Sequence, residues 1–135
     1  MTFDATTVRL FLHVLAVSVW VGGQIVLAGL VPALRRLGPE APAAIARQFN
    51  KVAWPAFALA VATGIWNIAD VDVTDRSNGY QTALLIKLLI VALSGVSAYL
   101  HANASSRRGM AVWGALTGTS ALAALLFGTI LVTSS

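Results

Sequence analysis

An all-α integral membrane protein, an antiparallel up-down bundle of four transmembrane helices, is the fold this sequence predicts. Three observations carry that prediction. Of 135 residues, 58% are hydrophobic and only 10% are charged, whereas soluble domains carry roughly a quarter charged; the mean hydropathy is +0.81. Four apolar runs share the length about evenly, each near the roughly 20 residues a hydrocarbon core requires. The basic residues fall mainly between those runs, where they report orientation, so the net charge of +4 implies no nucleic-acid partner. The whole of 1–135 reads as a single membrane domain in contact with the lipid bilayer. No cysteine is present, which excludes disulfides, thiolate metal sites and thiol redox chemistry.

The first helix is expected over about 8–34, with Arg9 just inside it and Pro32 and Arg35-Arg36 ending it at the interface. A secretory signal peptide competes for this run, but the run is too long, and too polar at His13. Gly38-Pro39-Glu40-Ala41-Pro42 forms the turn, and Pro42 suits the first position of a new helix, where its missing N–H is no loss. The second helix is expected over 43–68. Its first part, 43–51, is amphipathic and basic and lies at the surface; 52–68 then crosses, with Trp54 and Trp66 marking its ends and Pro55 bending its first turn. Ala56, Ala60 and Gly64 make a small-residue seam for close helix approach.

The following loop holds Asp70, Asp72 and Asp75. It fails as a calcium loop, because Thr74 stands at the third ligand position and Asp75 where glycine is required. It reads as a solvated acidic loop that attracts cations. The third helix is expected over 82–101, and the fourth over 111–132 with Gly114, Gly118, Ala121 and Gly128 as its packing face. The sequon Asn103-Ala104-Ser105 between them has no other support. Loops one and three carry Arg35, Arg36, Arg47, Lys51, Arg107 and Arg108, so both termini are expected outside and these loops in the cytoplasm.

Chemistry concentrates in two stripes. His13, Trp20 and Gln24 are spaced i, i+7, i+11, which places them on one face of an α-helix with Ala16, Val17 and Gly23 between. Lys87, Ser94 and His101 repeat every seven residues on the third helix. Polar groups in hydrocarbon are costly unless partnered, so both stripes are candidate sites. With helices one and three parallel in an up-down bundle, His13 and Lys87 each lie roughly 5–10 Å below the outer helix ends at ~1.5 Å per residue. His101 lies about 20 Å deeper on that rise and cannot share a metal with His13. His13 could ligate haem or copper, transfer protons, or pack against a neighbouring helix. Lys87 faces inward or snorkels to the surface, and His101 anchors at the interface. Gln24 and Ser94 are expected to cross-link helices, and Tyr80, Asn67 and Thr129 to complete the outer mouth.

His13, Trp20-Val21-Gly22-Gly23, Gln48-Phe49-Asn50-Lys51, Thr63-Gly64, and Tyr80 with Leu84-Leu85-Ile86-Lys87 together resemble the copper-resistance D (CopD) membrane domain over essentially the whole four-helix unit. That resemblance implies a role in copper handling in a bacterial inner membrane. The spacing of His13 to Trp20, with Gly23 and Lys87, is also similar to the HemJ-type protoporphyrinogen oxidases, four-helix proteins that bind b-type haem and use a first-helix histidine and a lysine.

The sequence therefore predicts a metal or haem b site in the outer half of the bundle. His13 is its metal ligand, Lys87 holds an anionic group or supplies a proton, and Trp20 and Gln24 lie below. Copper(I) favours thiolate and thioether ligands, and this chain offers only Met1 and Met110. A macrocycle needs one axial ligand and an apolar slot. Two other readings stand beside this one. One is a structural or accessory subunit, a homo-oligomer or the partner of a membrane or periplasmic protein. The other is a porphyrinogen-oxidising enzyme.

Overall fold

A computed structural model describes residues 3–134. Among them the chain is all-helical, 89% by residue, with no strand. Four helices are long and apolar enough to cross a membrane: Ala5–Leu37, Ala41–Asp70, Asn78–Ala102 and Arg107–Thr133. The first is α1 (Ala5–Val17) continued through a π-turn (Ser18–Gly22) into α2 (Gly23–Leu37); the others are α3 (Ala41–Asp70), α4 (Asn78–Ala102) and α5 (Arg107–Thr133). The contacts divide the chain into two compact units, Met1–Val71 and Asp72–Ser135.

Each helix extends a little beyond its expected bounds, and side-chain caps set the start of three of them. Asp4 accepts from the Thr7 N–H, Ser77 from that of Tyr80, and Ser106 from that of Gly109. Each cap satisfies an N–H that the first turn leaves orphaned, so the helix starts at the cap rather than at the first apolar residue.

The first unit is a helical hairpin. Gly38 turns the chain with φ of 153°, where a side chain would be strained, and Pro42 opens α3. The surface segment expected at 43–51 is not separate: α3 runs unbroken for 30 residues with Pro55 inside it. At ~1.5 Å per residue it is about 45 Å long, more than a hydrocarbon core needs. The pairing is antiparallel, because each step inward along the first helix meets a step back along α3. Arg9 meets Asp70, His13 meets Thr63, Trp20 meets Trp54 and Phe57, and Gly23 meets Phe49.

The second unit begins with a 3₁₀ turn, Val73–Asp75, that Asp72 caps through the Thr74 N–H and hydroxyl. These bonds hold the Asp72 carboxyl below the ordinary carboxylate range. Gln81 ties the loop to α4 by donating to the carbonyls of Val73 and Arg76. Helices α4 and α5 then pair antiparallel, with Lys87 over Gly128, Ser94 donating to the Thr117 carbonyl, and His101 over Gly114.

Candidate functional site

The first hairpin gathers the polar chemistry on the face where α1 meets α3. His13 Nδ1 lies 2.8 Å from Thr63 Oγ1. The threonine hydroxyl also lies 2.7 Å from the Leu59 carbonyl one turn back, which can only accept. Its single proton therefore goes to Leu59, and its oxygen accepts the Nδ1–H of His13. The arrangement suits the tautomer of the neutral ring in which Nδ1 carries the proton and Nε2 the lone pair. Gly64 makes room for the ring, because a Cβ there would stand 3.4 Å from His13 Cε1. The predicted seam is thus used in part as a notch for a polar side chain.

One turn above His13, Arg9 is 7% exposed and pairs with Asp70. Its guanidinium lies 5.8 Å from the centre of the Trp66 ring, a cation–π distance. Sequence reasoning missed this pair by assigning Asp70 to the solvated loop, whereas Asp70 is the last residue of α3. The signal was present: an arginine inside an apolar run needs a partner, and Trp66 and Asp70 share a helix face at i, i+4. Arg9 Nε and Asn67 Oδ1 are buried without hydrogen-bond partners among the described residues. Asn67 shares the face of Thr63 and Asp70.

Below His13, Trp20 is 7% exposed. Its ring lies 5.4 Å from that of Trp54 and 4.5 Å from that of Phe57, both tilted, an arrangement that aromatic quadrupoles favour. Trp54 therefore belongs to this cluster rather than only marking a helix end. Trp20 sits in the π-turn, whose wider i→i+5 winding disturbs the ordinary backbone bonding. Gln24 answers this locally: its Nε2 donates to the Trp20 carbonyl at 2.9 Å. The expected cross-link from Gln24 to another helix is corrected accordingly, because its amide closes its own helix. Gly23 meets α3, where a Cβ would stand 2.5 Å from Phe49 Cε2.

In the second hairpin Lys87 turns toward α5, where its Nζ would lie 3.2 Å from a Cβ at Gly128. His101 Nδ1 lies 2.7 Å from the Met110 carbonyl and so donates to it. This fastens the α4–α5 turn. Asn103 caps α4 by donating to the Tyr99 carbonyl at 2.8 Å. Ser94 makes its expected link to α5, at 3.3 Å. At Gly118, on the predicted packing face, a Cβ would meet nothing within 4 Å. A groove of about 300 Å³ between Tyr80, Ala83, Ile130 and Leu131 lies toward the open end of this hairpin; Thr129 instead bonds back to the Leu125 carbonyl.

Among the described residues no three His, Cys, Asp or Glu side chains group as a metal site; Met1 lies outside those residues. The first hairpin instead offers one oriented imidazole, a buried cation above it and an aromatic floor below. Comparison with protein-family models, curated proteins and solved structures finds no match.

Proposed function

We propose that this is a four-helix membrane protein, crossing the bilayer in up-down order, that binds b-type haem through His13 as axial ligand. The observation that carries the reading is the Thr63–His13 bond. A ligating imidazole characteristically donates its other N–H to an oxygen, which fixes ring orientation and raises ligand basicity. Thr63 does this for His13 and directs the lone pair to Nε2. The donor set fits a macrocycle, whose iron takes four ligands from the porphyrin and one or two from the protein. It does not fit a bare copper ion, which a single imidazole without thiolate or thioether neighbours would hold poorly. The resemblance to CopD and HemJ-type proteins points to the same residues.

Bound haem would supply one-electron transfer. The chain's own residues would orient and protect it. Thr63 holds the His13 ring, the Trp20, Trp54 and Phe57 cluster closes the inner side against water, and Gln24 secures the π-turn that carries Trp20. The arginines and lysine of loops one and three support a cytoplasmic location for those loops and outside termini.

The test is the absorption spectrum of the detergent-purified protein, oxidised and reduced with dithionite, with metal analysis of the same sample. A Soret band with reduced-state α and β bands, lost in His13→Ala, is the expected result. A colourless protein that takes up neither haem nor copper on reconstitution would sink the reading. It would favour an accessory bundle instead, for which the structural use of Gln24, Ser94 and His101 in hydrogen bonds speaks.

A further inference from the structure

We infer that Arg9 is the carboxylate-binding residue of the His13 site, and that Asp70 holds its place until the carboxylate arm of a ligand arrives. This rests on His13 being the ligand-bearing residue. The ligand class it implies is an amphiphile with an acidic arm, here a porphyrin propionate.

The pair is asymmetric. The Arg9 side chain is 8% exposed, while that of Asp70 is 53% exposed. A guanidinium binds carboxylate best through two parallel N–H donors, yet Asp70 uses only Nη1, and Arg9 Nε is buried with no acceptor. The Nε side of the guanidinium, where a carboxylate binds through Nε and Nη2, therefore keeps an unmet donor. Asn67, three residues before Asp70 on the same face of α3, has a buried side-chain oxygen that is also unmet. A half-turn of its amide exchanges that oxygen for an N–H donor. Two donors, from Arg9 and Asn67, then await one anionic group.

The position of Arg9 suits the same role. It precedes His13 by four residues, about 6 Å along the axis on the same helix face. A planar ligand held at His13 Nε2 would extend an acidic side arm across that distance. Asp70, at the helix end and more than half exposed, can turn into water once another carboxylate takes over the buried guanidinium, so that the Arg9 charge is never left unpaired.

The experiment titrates haem b and its dimethyl ester into the full-length protein in detergent, comparing wild type with Arg9→Gln, Asp70→Asn and His13→Ala. Charge-assisted bonds of this kind correspond to roughly a tenfold or greater preference. Wild type should therefore favour haem over the ester by about that factor. Arg9→Gln should abolish the preference while keeping the ester's affinity, Asp70→Asn should tighten haem severalfold, and His13→Ala should lose both ligands. Equal affinity of wild type for the two porphyrins would overturn the inference, as would a preference that survives Arg9→Gln or an Asp70→Asn variant that weakens haem and ester alike. Failure of either porphyrin to bind wild type would instead bring down the reading of His13, and this inference with it. Should Arg9→Gln not fold, Arg9→Lys keeps the charge and removes the fork; an unchanged preference there overturns the inference equally.

Discussion

The hydroxyl of Thr63 bridges two elements of the first hairpin, giving its proton to the Leu59 carbonyl 2.7 Å away and accepting from His13 Nδ1 at 2.8 Å. One side chain thus holds the pose of the histidine and suits the tautomer with the proton on Nδ1. It does so from the interior of α3, where it is 3% exposed and water cannot substitute for it.

Thr63→Val keeps the shape of that residue and removes the oxygen. The His13 N–H then loses its acceptor in a buried setting, which costs about 1–3 kcal/mol. Unfolding of the purified protein in detergent should show a loss of that size, and Thr63→Ser should restore most of it. If haem binds, Thr63→Val should also weaken it by roughly 10–100-fold, as for other partners of ligating histidines. A Thr63→Val protein as stable as wild type, with unaltered ligand binding, would show that the bond does not hold the ring.

Asp4 gives a prediction in pH. It lies outside the membrane-spanning segment and accepts from the Thr7 N–H and hydroxyl, and these bonds hold its carboxyl below the ordinary carboxylate range. A carboxyl lowered in the folded state stabilises that state above its unfolded pKa, and the contribution disappears as pH falls through the lowered folded value. Hydrogen exchange at the first turn of α1 should therefore accelerate as pH falls below about 4, beyond its intrinsic pH dependence. Asp4→Asn, which caps without titrating, should remove that step; persistence of the step would assign it to another group.

Much of this architecture was legible in the sequence because it follows from composition and length. Four apolar runs became four long helices, and the stripe rule brought His13 and Trp20 to one face. What escaped was local chemistry. Hydropathy located the helices, but Asp4, Ser77 and Ser106 set where three of them start. The i, i+11 rule assumed uniform winding through a segment that contains a π-turn, so Gln24 was assigned across the interface when its amide serves its own helix. Arg9 was placed just inside the first helix and Asp70 in a loop, with no link between them, because their relation appears only once the hairpin register is known. Glycines were read as places for backbones to meet. Several instead accommodate a side chain of the facing helix, which no spacing rule distinguishes.

That last distinction can be measured with glycine-to-alanine substitutions, because the facing atoms rank them. At Gly118 a Cβ has nothing within 4 Å, so Gly118→Ala should be neutral or stabilising by up to about 1 kcal/mol through helix propensity. At Gly128 the Cβ meets Lys87 Nζ at 3.2 Å, the movable end of a long side chain, and the cost should be small. At Gly114 it meets His101 Cε1 and Nδ1 at 3.0 Å, and displacing the ring strains the bond to the Met110 carbonyl. At Gly23 it would stand 2.5 Å from Phe49 Cε2, so an aromatic ring packed between two helices must shift, with an overpacking cost of about 1–3 kcal/mol. Denaturation midpoints of the four variants should therefore fall in the order Gly118, Gly128, Gly114, Gly23, the last least stable. If Gly118→Ala proved the most damaging instead, the small-residue face of α5 would be a backbone contact after all, and the assignment of these glycines to side-chain notches would be wrong.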